Sequence, residues 1–575
     1  MSLARILRTA SHIPAGQLAE RARFIVLRRL YATAPARPIE RATRDARGVM
    51  PRPRLPTVPV EVLSPDGIDA VRTRAEEFLR GRFTYLNETH RFPVDKASGR
   101  VAVDWAPPGT SPLWRYQLQY LGAVLDLVLA GAPDAAANLV AAWIEHHAGA
   151  WSAIAWHPYP VSLRLCNMCL AAGAAGGFDA LGPGAANLAA VSAAYLHRHF
   201  EHDVRGNHLL ENARALLIAS RSLDGPPVAG WERLAREIIA KEIAEQVLPD
   251  GAHFELSPMY HKLVLWRLIE LSKLLGPADP LVSGSIGPAI SAMRRFLAGV
   301  LCPDGEVPLL GDSVRNSAFA PPAGPLLDTE VVSPESGGVR AYPNAGLYIF
   351  ASPRLWAVFD AGPVCPDYLP AHGQADSLTV EVWCDGACLV GDPGVYAFTG
   401  AERGWSRSSR AHSTLTVDDR DTSEVYGSFR IGGRATLESI DTRGDEVSAA
   451  VVPWGTDARL SRVVRFEGPG RSCLRLLDSA TAPRGTTVRS RLHLHPSTTV
   501  VSGSDGARDV IAATPNGRVR ITAEHPVRLE RGRASRELGL LEPTTILAQD
   551  LERRAPGQDL RGGWTITPLT AEQGQ

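Results

Sequence analysis

The sequence predicts an α+β chain of more than one domain, an N-terminal α/α toroid followed by a C-terminal antiparallel β-sandwich. Two observations carry this. From about residue 65 to 330, stretches such as ANLVAAWIEHHAGAW, WERLAREIIAKEIAEQV and HKLVLWRLIELSKLLG repeat apolar residues three and four apart, with short Gly, Pro and Asp joints between them. Past about residue 340 the period falls to two, in short Val, Ile, Thr and Leu runs bounded by Gly, Asp and Arg turns. Many helices of similar length on short joints favour a toroid, and antiparallel runs of this kind favour a sandwich. The chain has 575 residues, more than one ordinary core holds.

Taken in order, residues 1–60 read as a basic N-terminal helix followed by a Pro-rich extended linker, PARPIERATRDARGVMPRPRLPTVPV. Leu3, Ile6 and Leu7 share a face opposite Arg5 and Arg8, the pattern of an ordinary surface helix rather than of a membrane anchor. Residues 61–330 are the expected toroid and 331–575 the expected sandwich. In the second, GLYIFASPRLWAVFDAG reads as a hairpin turning at Ser352-Pro353. Leu378, Val380 and Val382 read as a strand that turns at Asp385-Gly386 and returns through Cys388 to Val390.

Lys and Arg together number 61, as do Asp and Glu, so the formal charge is zero and a broad nucleic-acid-binding surface is not expected. No apolar run reaches membrane-spanning length, and the N-terminus lacks the pattern of a secretory signal peptide. The seven cysteines are odd in number and scattered, unlike a disulfide framework. Cys166 and Cys169 lie in a helix-like apolar run with no second pair, which reads as core rather than as a zinc ribbon.

Four stretches combine residue types that carry chemistry. In RGNHLLEN, Asn207, His208 and Glu211 fall on one broad helix face, a set that is costly to bury without partners. In GAHFELSPMYH, Tyr260 and His261 stand at a helix start. His372, Gln374, Asp392 and His412 occupy loops and strand ends of one β-structure, positions that fix side chains for acid–base work or ligation. Their donors suit zinc, although the spacing matches no short metal motif. In AWHPYPVSLRLCN, Trp156 and Tyr159 are candidates to stack on sugar rings and Arg164 to pair with an acidic group. Each has a plainer structural reading: a satisfied core histidine, a packed tyrosine, or aromatics seated on the helical body.

Together and in this order, GNHLLEN, DG…FELSPMYH, HGxADSLTVE and AHSTxTVDD resemble the heparinase II/III-like family of polysaccharide lyases, which includes alginate and oligoalginate lyases. The resemblance covers roughly residues 100 to 570 and implies a toroid followed by a sandwich. It also implies β-elimination on a uronate-containing acidic polysaccharide, leaving unsaturated uronate ends. That chemistry neutralises the uronate carboxylate, removes the neighbouring proton and protonates the leaving glycosidic oxygen. The resemblance assigns Asn207 and His208 to the carboxylate, with Glu211 supporting them, and divides acid and base roles between Tyr260 and His372. Arg205, Arg403, Arg407 and Arg410 are expected to supply local positive charge for an acidic chain. Relatives with a zinc hold it by a histidine, an aspartate and a later histidine. Here these positions are Gln374, Asp392 and His412, so a structural zinc is expected in a set weakened by the amide. The expected partner is the acidic polysaccharide, without nucleic acid or a transmembrane segment, and the resemblance implies work in the cell envelope or periplasm. Two other readings fit the sequence: a non-catalytic binder of acidic polysaccharide, and a glycoside hydrolase using carboxylates among Asp250, Glu255 and Asp304.

Overall fold

The computed structural model describes residues 3–315, 320–327, 337–553, 555 and 557–570. The chain forms two compact units. One comprises Pro14–Gln246 with Leu263–Ser291; the other comprises Met1–Ile13, Val247–Lys262 and Ala292–Gln575. Helices come first and antiparallel sheets after them, as the change of hydrophobic period predicts. The units are not the two consecutive spans expected. Val247–Lys262 and the chain from Ala292 onward cluster with the β-structure, well before residue 331.

The helical unit is built on two central helices, Pro158–Ala174 and Gly206–Ser222, which are buried nearly all round. Ala and Leu fill them, as expected of helices without a solvent face. Outer helices are one-sided. In Val228–Gln246, Trp231, Ala235, Ile239 and Ile243 recur at intervals of four and are buried. The helix Gly206–Ser222 starts under strain, since Arg205 has φ of 66° and Gly206 has φ of 57°. Arginine in this left-handed region is disfavoured, and the bend turns the chain directly into Asn207 and His208.

The other unit holds three larger sheets. The first, Gly338–Tyr342, Leu347–Ala351, Leu355–Asp360, Val380–Cys384 and Ala387–Val390, is a five-stranded antiparallel meander. The expected hairpin is present, with Ala351 opposite Trp356 across the Ser352-Pro353 turn. The second is four-stranded, in the order Leu415–Val417, Val488–His493, Glu542–Asp550 and Arg528–Ala534. The third is nine-stranded, with Cys473–Thr481 and Leu560–Pro568 adjacent near its middle. Phe350 and Val382 from the first sheet, Leu492 and Leu547 from the second, and Leu476 and Trp564 from the third share one hydrophobic core. Arg459–Glu467 buries alternate residues, as a half-buried strand should, whereas every residue of Val380–Cys384 is buried. The alternation expected there is absent because both faces of that strand are covered. All seven cysteines are free thiols.

The short helix Leu3–Ser11 lies on this unit with its polar side inward. Arg5 and Arg8 reach Glu424 at 3.0 and 2.7 Å, and Thr9 Oγ1 is 2.5 Å from the Tyr426 hydroxyl. Leu3, Ile6 and Leu7 are exposed. The helix is therefore opposite in sense to the ordinary surface helix expected. Among the described residues no helix is long and apolar enough to cross a membrane.

Candidate active site

In the helical unit, Asn207 and His208 sit on the first turn of Gly206–Ser222. Asn207 is buried, while the His208 side chain keeps 34% of its surface. His208 Nδ1 lies 3.0 Å from Glu201 Oε1, and its ring stacks at a tilt on Tyr159 with centroids 4.4 Å apart. Glu201 is buried and held from its other side. Asn212 Nδ2 donates to Glu201 Oε2 at 2.9 Å, and the Glu201 N–H donates to Asn212 Oδ1 at 2.8 Å. Burial alone would raise the Glu201 carboxyl. The charge and hydrogen bond of His208, with help from His157 and Asn212, hold it below its ordinary value. Glu201 therefore stays ionised and orients the imidazole.

Glu211 has a different task from the one expected. It is buried beside Arg214, which also binds Glu270, and Arg267 lies 3.5 Å from it. This is an internal ion network in which the Glu211 side chain is 5% exposed. Trp156 and Arg164 are likewise corrected. Arg164 is fully buried, donates to the Ala155 and Gln119 carbonyls, and packs over the Trp143 and Trp156 rings. Trp156 is 1% exposed. Both build the helical core. Arg205 pairs with Glu245 at 2.7 Å. Tyr159 remains half-buried against His208.

In the β-containing unit, Tyr260 and His372 are brought together across 112 positions of sequence, their rings stacked with centroids 3.7 Å apart. Tyr260 is on the first turn of the helix Pro258–Leu275, which follows a left-handed Leu256 with φ of 56°. His372 is pinned on both nitrogens, with Nε2 2.9 Å from Glu255 Oε2 and Nδ1 3.0 Å from Asp312 Oδ2. Burial would lower the imidazole. The hydrogen bonds and charges of Asp312 and Glu255 outweigh it and raise His372 to about 9. Asp312 is fixed in turn by the guanidinium of Arg403, which also donates to Ala371 O at 3.1 Å. Gly373 allows the close passage of the loop, since a Cβ there would come within 2.7 Å of Val364 O.

Arg403 and Arg407, expected to bind an acidic chain, are both buried. Arg403 serves Asp312, and Arg407 donates to Gly373 O at 2.9 Å. Arg410 is exposed. Asp250 and Asp304 hold turns: Asp250 accepts from the Asn344 and Ala345 N–H groups, and Asp304 from the Glu306 N–H.

Of the three residues expected to hold zinc, two meet. His412 Nδ1 is 2.7 Å from Asp392 Oδ2, in the buried interior. Gln374 is turned to the His372 group instead, its amide nitrogen donating to Gly311 O at 2.7 Å and to Asp312 Oδ1 at 3.1 Å. Among the described residues no group of three or more His, Cys, Asp or Glu side chains is placed to hold a metal. His412 Nε2 and Gln374 Oε1 are buried without a hydrogen-bond partner, two donors where a structural zinc takes four.

The residues that sequence reasoning missed are Glu201, Asp312 and the role of Glu255. Glu201 and Asp312 lie in no recognised motif. Glu255 lies inside one, but its neighbouring DG turn drew it toward a structural reading.

The chain has a helical unit and an antiparallel-sheet unit, each carrying a histidine set by buried carboxylates. The heparinase II/III N-terminus model matches residues 186–320, and the heparinase II/III-like C-terminal model matches residues 334–559. Together they take in more than half the chain, and the chain belongs to the heparinase II/III-like family. A heparin-sulfate lyase of Pedobacter heparinus is 30% identical over 261 residues, 40% of this chain and 38% of that protein. One of Bacteroides stercoris is 25% identical over 260 residues, 40% of this chain and 39% of that protein. The matched stretch thus spans about two fifths of these curated relatives. A crystal structure of heparinase III superposes with a TM-score of 0.69 at 16% identity, covering 88% of this chain and 85% of that one, which shows the shared fold.

Proposed function

We propose that the protein is a polysaccharide lyase that cleaves a uronate-containing acidic polysaccharide by β-elimination, leaving an unsaturated uronate end. The observation that carries this reading is the Tyr260–His372 stack, with His372 clamped between Glu255 and Asp312. Raised to about 9, His372 holds its proton at neutral pH. It then serves as a proton donor or as a cation beside a developing negative charge, and Tyr260 is left to exchange the proton of the reacting carbon. Asn207 and His208 are assigned to the uronate carboxylate, with an amide donor and an imidazole backed by Glu201. A hydrolase would need two free carboxylates. Glu255 and Asp312 are both engaged by His372, and Asp250 and Asp304 hold turns.

The two curated relatives, both named heparin-sulfate lyases, support a glycosaminoglycan-like uronate polymer as substrate. Near-ultraviolet absorbance tests the reaction on a panel including heparan sulfate, heparin, hyaluronan, alginate and polyglucuronate, because elimination creates a conjugated double bond and hydrolysis does not. Tyr260→Phe and His372→Ala should each lower the rate by about 10²–10⁴-fold. Unchanged rates in both would reject the assignment. Binding of a polymer without any rise in absorbance would favour a non-catalytic binder.

We read Gln374 as a positioning group for Asp312 rather than as a zinc ligand. Elemental analysis of the purified chain should give well under one zinc per chain, and one full equivalent would reverse the reading.

A further inference from the structure

Half of the exposed large apolar side chains among the described residues precede residue 31. Four of them, Leu18, Ile25, Val26 and Leu30, lie on the helix Ala15–Thr33 and are 36%, 54%, 54% and 56% exposed. The intervals between them are those of one broad helix face. The opposite side is polar and aromatic, and it is the side that packs on the helical unit. Gln17 is buried with its amide donating to Asp203 O at 3.1 Å, Phe24 meets His157 edge-on at 5.8 Å, and the Tyr31 hydroxyl is 2.9 Å from His199 Nε2. An ordinary surface helix would be the other way round. The helix Leu3–Ser11 repeats the inversion by itself, with Arg5 and Arg8 bound to Glu424 and Leu3, Ile6 and Leu7 outward.

Charge identifies what the outward stripe faces. Arg23 and Arg29 are exposed on this side of the helix, Arg23 at its edge and Arg29 within it, whereas Arg28 lies over the Phe24 ring on the covered side. The helix has one acid, Glu20, and it is neutralised by Arg23 at 2.8 Å. An apolar face that carries arginines and lacks free acids fits the boundary of an anionic bilayer, where leucine-like side chains enter the acyl region and arginines stay with the headgroups. Nineteen residues give a rod about 28 Å long that lies in the plane of the surface.

We propose that the outward face of Ala15–Thr33 is a docking surface for anionic lipid bilayers, which would hold the protein on a membrane surface without spanning it. The test is flotation of the full chain with vesicles of phosphatidylcholine containing about a third phosphatidylglycerol, against phosphatidylcholine alone. The chain should float with the anionic vesicles and release as salt rises. The Ile25→Asp/Val26→Asp variant should partition at least about ten-fold less, and Arg29→Ala about five-fold less. These side chains are solvent-facing, so an unchanged melting curve shows that the variants fold. No flotation of the parent, or equal flotation of parent and Ile25→Asp/Val26→Asp, would overturn the proposal. So would a parent that ignores vesicles but forms a dimer in sedimentation that the same variant dissolves, which would assign the stripe to a second copy of the chain.

Discussion

His208 in the helical unit and His372 in the β-containing unit are both set by buried carboxylates, yet they are set differently. His208 pairs through Nδ1 with Glu201, seven positions earlier in sequence, and a third of its side chain is open. His372 pairs on both ring nitrogens, with Glu255 and Asp312, and is 8% exposed. A carboxylate at one nitrogen orients an imidazole whose side chain is still a third exposed. Two carboxylates fix the charge state, because losing the proton would leave two anions facing a neutral ring. The first arrangement suits recognition and the second suits proton delivery.

Removing the support should hurt the two places unequally. Asp312→Asn is expected to have the larger effect. Asp312 compensates both His372 and the buried guanidinium of Arg403, so the amide leaves a buried charge without its counter-ion. Breaking such a buried pair costs about 3–5 kcal/mol. Urea unfolding should show that loss, and a change below about 1 kcal/mol would mean that Arg403 finds another partner. Glu201→Gln should be gentler. His208 is partly solvated and keeps a hydrogen-bond acceptor, so the expected loss is one charged hydrogen bond, about 10–100-fold in kcat/KM with little change in stability. Equal damage to stability from both substitutions would erase the distinction drawn between the sites.

The same difference decides what could be read from sequence. The change from a helical to a two-residue period located the two kinds of structure, and the turns at Ser352-Pro353 and Asp385-Gly386 are hairpin turns because local chemistry dictates them. Asn207 and His208 on a helix start, and Tyr260 on another, also follow from local signals. The buried arginines did not. Arg164, Arg403 and Arg407 look like any basic residue in a chain, and only the fold shows that carbonyls and Asp312 surround them. Asp312 was illegible for the same reason, since its partners His372 and Arg403 are 60 and 91 positions away. The inward polar face of Leu3–Ser11 was not legible because amphipathic spacing shows that a helix has two faces, not which of them is covered.

Acidity should separate the regions least strongly but on opposite sides of neutrality. In the helical unit, burial keeps His147 near 3 and His157 and His199 near 4. Unfolded, each would titrate near ~6.5, so between about pH 4 and 6.5 the unfolded chain binds more protons. Their contribution is therefore full above ~6.5 and is lost as pH falls toward 4. Asp203, which burial raises to about 6, and Asp126 and Glu242, which burial also raises, run the other way over part of that range, while burial lowers His197 and His202 in the same sense as these three histidines. His372 has the reverse sign. Raised to about 9 by its carboxylates against the effect of burial, it contributes fully below ~6.5, and that stability is lost as pH rises through 9. His412, raised to about 9 by Asp392 against the effect of burial, adds to the alkaline loss in the same unit, whereas Asp360 and Glu381, raised by burial to about 8, lose their contribution at lower pH, between ~4 and about 8. Hydrogen exchange followed by peptide mass should show helical-unit peptides loosening below about pH 6 and peptides around His372 loosening above about pH 8. In His372→Asn the alkaline loosening should shrink while the acid limb stays. An alkaline limb of full size in that variant would mean that His412, not the clamped imidazole, sets the upper limit.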